Sequence, residues 1–161
     1  MAFCSLIQHK YKRWTGLSRP ERSFLIQAAV LLPVFRIKRS MGFQKVRSRL
    51  EKEPSQAGQV PRSSDSALEK ARQAARMVSI AAAHTLCQTS CLDRSLVLCV
   101  LLRRMGIDAD LHLGVKKDGG VFSAHAWVEL DGEVINDTAD VRERFAPFPA
   151  PVTKAGSCAD M

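Results

Sequence analysis

No stretch of this 161-residue sequence is long and apolar enough to cross a bilayer as a helix. The longest apolar run, Phe24 to Phe35, spans about twelve residues, contains Gln27 and is broken by Pro33. A span needs roughly twenty apolar residues. The run reads as a buried helix, and no stable membrane insertion is expected. The opening Met1-Ala2-Phe3-Cys4-Ser5-Leu6 has no charged prefix ahead of an apolar stretch, so it is not a secretion signal. Cysteine is present without a framework: Cys4, Cys87, Cys91, Cys99 and Cys158 form an odd set at no regular spacing. Without an export signal, that pattern indicates reduced thiols and a cytoplasmic protein. His84, Cys87 and Cys91 have a zinc-like spacing, but Thr89-Ser90 interrupts the run and no second ligand pair follows. No metal is therefore assigned. Internal repeats are absent, and so are the base-reading motifs and interleaved aromatics of nucleic-acid binders.

Acidic residues are scarce in the front third. Residues 1–53 hold 12 Lys/Arg against 3 Asp/Glu, and the remainder holds 12 against 13, so the excess of +8 lies entirely at the front. A basic face attracts an acidic peptide or protein partner, or it is simply a solvated helix face. The apolar content of 46% is ordinary for a globular chain, and the length suits one domain or a small domain with a helical appendage.

Local signals divide the chain further. Ser18-Arg19-Pro20-Glu21 is a capping box with Pro in the first turn, starting a helix that should run to about Leu32. Val34 to Leu50 reads as a second, basic helix with Gly42 as its weak point. Residues 54–65, with Pro54, Gly58, Pro61 and a serine cluster, form the clearest linker. Ser66 and Glu69 cap an alanine-rich helix, Ala67 to His84, suited to close packing. This gives a basic helical region at 1–53, a linker at 54–65, a core at 66–140 and a Pro-rich tail at 141–161 expected to be irregular or disordered.

The chemistry concentrates in three residues. Ser90 with Asp93 is a capping signal just before the apolar run Leu92, Leu96, Val97, Val100, Leu101, Leu102, which Gly106 ends. Cys91 thus takes the first helical position. There, unpaired N–H groups and the helix dipole favour the thiolate, the nucleophilic form, and the same N–H groups suit an oxyanion. Asp110 to Val115 alternates as a strand, Asp118-Gly119-Gly120 turns it, and Val121 to Leu130 returns. Asp131-Gly132 is a favoured hairpin turn, and Glu133 to Asn136 is a third strand. Symmetry about that turn brings residues near 137 or 138 opposite His125 or Ala126. Because strand side chains alternate, Asp137 or Asn136 should meet the imidazole, but not both. A thiol, an imidazole and a carboxylate are the parts of a cysteine acyl-transfer site.

Other residues carry plainer readings. Cys87 and Cys99 are small core hydrophobes. His84, His112 and His9 are helix-end, strand-surface and solvent residues. Trp127 shares a side with His125 and either packs in the core or walls the substrate pocket. Gln88, just before the thiol, is a candidate oxyanion donor and substrate contact. Arg94 reads as an ion-pair residue or a support to the site.

Cys-Leu-x-Arg-Ser-Leu at Cys91, His-Ala-Trp-Val-Glu at His125 and Asn-Asp at Asn136-Asp137 together resemble the transglutaminase-like cysteine peptidases of lasso-peptide maturation. The likeness covers roughly residues 70–140. Trp14, Glu21-Arg22, Leu32-Pro33 and Met41-Gly42-Phe43 are similar to the helical preamble of stand-alone forms. The resemblance implies an α+β fold with a transglutaminase-like, papain-like core: helices packed on a small antiparallel sheet, with an N-terminal helical extension. It implies Cys91 as nucleophile, His125 as general base and acid, and Asp137 as the residue orienting the imidazole. It also implies removal of the leader from a ribosomally made precursor. A separate ATP-dependent, asparagine-synthetase-like cyclase then closes the macrolactam. No winged-helix module precedes residue 60, so leader recognition is expected from a separate RRE-type protein. No cofactor is needed for the bond cleavage. Two other functions remain open on the same residues: a transglutaminase-type acyl transferase with an amine acceptor, and a non-catalytic scaffold that holds a peptide.

Overall fold

The computed structural model describes residues 16–40, 65–85 and 88–152. Helix α1 (Arg19–Ser40), helix α2 (Asp65–His84) and helix α3 (Cys91–Arg104) precede strands β1 (Asp110–Asp118), β2 (Val121–Leu130) and β3 (Glu133–Val134). A short helix α4 (Val141–Arg144) and strand β4 (Ala146–Pro147) follow. The sheet is antiparallel in the order β3-β2-β1-β4. This is an α+β arrangement with helices and a small antiparallel sheet, as the resemblance implies.

Helix α1 begins as the sequence indicates. The Ser18 N–H donates to Glu21 Oε2 at 2.8 Å, and the Glu21 N–H reaches back to Ser18 Oγ at 3.4 Å. Its end differs from expectation. The helix does not stop near Leu32 but continues through Pro33 to Ser40. A proline forfeits one helical hydrogen bond and crowds the preceding turn. Here Phe24, Ala28 and Leu32 are buried in the common core, and that packing holds the helix through the break. The separate helix expected from Val34 is thus the second half of α1, and residues 41–50 lie outside the described residues, as does most of the 54–65 linker.

Helix α2 presents Ala67, Ala71, Ala74, Ala75 and Ala81 to the core, allowing close approach of the neighbouring helices. Helix α3 is buried without interruption from Ser95 to Arg103. A helix buried on all sides is a central element, and α3 lies between the other helices and the sheet. Ala126, Val128 and Leu130 of β2, with Leu111 of β1, supply the sheet's inward surface. The β2–β3 turn has Asp131 at φ 50° and Gly132 at φ 84°, the left-handed pair that an Asp-Gly turn demands.

The tail also departs from expectation. Ala146 and Pro147 pair with Val115 and Gly114 on the outer edge of β1. The Phe148 and Val152 N–H groups then donate to Leu113 O and Leu111 O at 2.9 and 2.8 Å. Pro147 fits there because an edge strand does not need every N–H. Residues 138–145 cross the outer face of the sheet on their way to that edge.

Candidate active site

Cys91 occupies its position because the helix start is capped on both sides. The Ser90 N–H and hydroxyl donate to Asp93 Oδ2 at 2.9 and 2.8 Å, and the Asp93 N–H donates to Ser90 Oγ at 3.2 Å. Cys91 is the first residue of α3, where helical geometry leaves the earliest N–H groups without intrahelical acceptors.

Four residues on, Ser95 lies on the same helical face as Cys91 and is fully buried. Its hydroxyl donates to Ala126 O at 3.1 Å and accepts from Asn136 Nδ2 at 2.9 Å. The Val128 N–H donates to Asn136 Oδ1 at 2.8 Å, and the Ile135 N–H to Val128 O at 2.9 Å. β3 ends opposite Glu129. From there, the edge of β2 is satisfied by these side chains and the Ile135 N–H instead of a strand. The result fastens the start of α3 to β2 and to the chain entering Asp137.

His125 Nε2 lies 2.5 Å from Asp137 Oδ2. The other carboxylate oxygen accepts from the Thr138 N–H at 2.7 Å and from Arg144 Nη2 at 2.6 Å. Burial pushes the Asp137 carboxyl up, but hydrogen bonds from the Thr138 N–H, His125 and Arg144 outweigh it and hold the pKa below the ordinary value. The imidazole is flanked by two rings, Phe145 at 4.8 Å and Trp127 at 6.3 Å between centroids. With Nε2 engaged, Nδ1 is the ring nitrogen left for proton exchange.

Cys91, His125 and Asp137 line one pocket, with Arg94, Ala126 and Asn136 beside them and Ala75, Val78 and Ser79 of α2 forming another wall. Asp137 turns to the imidazole while its neighbour Asn136 turns to Ser95 and Val128.

The other residues singled out from sequence lie elsewhere. Trp127 is completely buried and is not part of the pocket lining. Of its two readings, the structure gives packing behind the imidazole rather than a pocket wall. Its indole N–H donates to Glu129 Oε1 at 2.7 Å. Gln88 is exposed, its carbonyl accepting from Arg36, and it does not line the pocket. His112 is half-buried on its strand, stacking on Trp127 at 5.8 Å and approaching Glu129 Oε2 at 3.3 Å. Burial pushes Glu129 up, but hydrogen bonds from Arg142 and Trp127 and the charges of His112 and Arg142 bring its pKa below the ordinary value.

Sequence reasoning missed Ser95, the role of Asn136, Arg144 and Phe145. Ser95 carried a usable signal, a polar residue inside the apolar run from Leu92 to Leu102. Arg144 and Phe145 carried none, because their contacts depend on the return of the tail across the sheet.

A model of the transglutaminase-like superfamily matches residues 28–150. The match begins inside α1 and takes in the pocket, the sheet and the returning tail, so the chain belongs to that superfamily. It is also similar to the microcin J25-processing protein McjB of Escherichia coli, with 37% identity over 59 residues. That alignment covers 37% of this chain and 27% of McjB, so the chain matches only about a quarter of its relative's length. No solved structure matches. Among the described residues no helix is long and apolar enough to cross a membrane.

Proposed function

We propose that this chain is a cysteine peptidase that removes the leader from a ribosomally made lasso-peptide precursor. The observation that carries the reading is the shared pocket: Cys91 at the capped start of α3 opens onto the same space as the His125–Asp137 pair. Membership of the transglutaminase-like superfamily and the similarity to a microcin-processing protein support it.

The residues divide the work as follows. His125 Nδ1 takes the Cys91 proton, and Asp137 on Nε2 fixes the tautomer and stabilises the imidazolium. The thiolate attacks the scissile carbonyl, and the N–H groups at the start of α3 receive the oxyanion. The C–N bond breaks as His125 returns its proton to the leaving amine. His125 then deprotonates a water that attacks the thioester, releasing the new carboxylate and the thiol. The chemistry requires no metal or nucleotide. In this reading a separate RRE-type protein presents the leader, and an ATP-dependent cyclase acts on the freed N-terminus.

Cleavage of precursor peptide, followed by mass spectrometry, is the test. Cys91→Ala should abolish product, and His125→Ala should lower the rate on the order of 10²–10⁴-fold, with far-ultraviolet circular dichroism unchanged. Asp137→Asn should also slow the reaction. Full leader removal by Cys91→Ala would end the hydrolase reading. Retention of an amine in place of water in the product would instead identify an acyl transferase.

A further inference from the structure

The two long edges of the sheet are treated differently. The outer edge of β1 is covered by Ala146 and Pro147 and by the bonds from Phe148 and Val152. The outer edge of β2 is closed only at one end. β3 pairs with Glu129 and Leu130, the Ile135 N–H and Asn136 close Val128, and Ser95 closes Ala126 O. Among the described residues, no strand pairs with β2 beyond that point.

Backbone direction alternates along a strand, so the residues that face this edge can be identified. Val128 and Ala126 direct their groups outward to Asn136, Ile135 and Ser95. Two and four residues from Ala126, Ala124 and Phe122 face the same way. The odd-numbered residues bond to β1, as expected for a two-residue turn joining Asp118 to Val121. Val121 to Ala124 are all exposed, with Phe122 at 71%. An unprotected edge invites another strand, and proteins ordinarily blunt such edges. This one runs without interruption into His125 and the pocket that holds Cys91.

We infer that the edge of β2 at Phe122 and Ala124 binds the peptide substrate as an added strand, feeding its scissile bond to Cys91. The inference rests on the peptidase reading and specifies how that site takes hold of its substrate. Continuity of the edge with the pocket identifies the occupant, since an extended peptide paired there is led directly to the thiol. Strand addition draws affinity from main-chain hydrogen bonds and takes selectivity from alternate side chains. Phe122 offers apolar surface beside the edge, with Lys117 Nζ 5.5 Å from its ring centroid.

The test uses the full chain and two alkylating probes, with Cys91 labelling followed by peptide mapping. Iodoacetamide needs no strand docking; a library of N-acetyl tetrapeptidyl chloromethyl ketones does. Ala124→Pro removes an outward N–H and spares the β1 ladder, a placement proline tolerates. It should slow labelling by the peptidyl probes at least about tenfold and leave iodoacetamide within about twofold, since outward bonds are lost but the thiol is untouched. On the unaltered protein, N-methylation of probe amides should slow labelling at every second position only. If proline lowers both probe rates alike, that alternation decides alone. Unchanged peptidyl labelling in Ala124→Pro, or no alternation, overturns strand addition while leaving the nucleophile intact. Failure of every peptidyl probe to label Cys91 in the unaltered protein removes the peptidase reading, and this inference with it.

Discussion

Replacing Ser95 by alanine tests whether the site is held together as described. The change deletes one oxygen, with no side chain enlarged and no charge altered. The Ser95 hydroxyl donates to Ala126 O and accepts from Asn136 Nδ2. Ala126 is buried and its carbonyl faces the edge where no strand pairs, so its loss is a buried acceptor left unmade, about 1–3 kcal/mol. Asn136 is only half-buried, so water can replace its lost partner and the net loss is about 0.5–1.5 kcal/mol. The expected destabilisation is therefore about 1.5–4.5 kcal/mol. Urea unfolding should show this as a lower midpoint at constant slope. A double-mutant cycle with Asn136→Ala should show coupling, because the two side chains share one network. The chemistry should suffer as well. Cys91 lies one turn before Ser95, and a misplacement of about 1 Å at reacting groups costs on the order of 10²-fold. Peptide cleavage should fall far more than the loss of folded protein explains. An unfolding midpoint within experimental scatter of the unaltered protein, with full cleavage, would refute the view that this network positions the thiol.

Other perturbations give separate expectations. Glu129→Gln should flatten the acid limb of stability: a carboxyl with a folded pKa below its ordinary 4.5 stabilises above that value and loses the contribution as pH falls through the lowered one. Urea midpoints compared between about pH 6 and about pH 3 should therefore converge for the two proteins in acid. At Gly114 an added Cβ meets Trp127 Cη2 and Cζ3 at 2.9 Å and Ala146 O at 3.0 Å. Gly114→Ala should accordingly cost about 1–3 kcal/mol by overpacking, measured by urea unfolding, and disturb the ring behind His125.

The legible parts of this protein are those governed by neighbours in sequence. The capping pairs Ser18–Glu21 and Ser90–Asp93 act over three residues, so they can be read directly, and the second of them puts Cys91 at a helix start. The Asp131-Gly132 turn requires positive φ at adjacent residues, so its composition announces the hairpin that carries His125 back toward Asp137. Locally, Pro33 signals a helix end, but Ala28 and Leu32 are completely buried, and the packing of that face outweighs one lost hydrogen bond.

The sequence by itself determined the candidate groups, the element bearing each and the class of chemistry they suit, because caps, turns and strand alternation operate within a few residues. Only the tertiary structure decided that Asn136 serves the helix while Asp137 serves the imidazole, that Trp127 lies behind the pocket, and that Arg144 returns to Asp137 and Phe145 to His125. Those outcomes depend on where a tail crosses a sheet and how a helix seats on a strand edge. Such choices are made by burial and hydrogen-bond satisfaction among residues tens of positions apart, which no local pattern encodes.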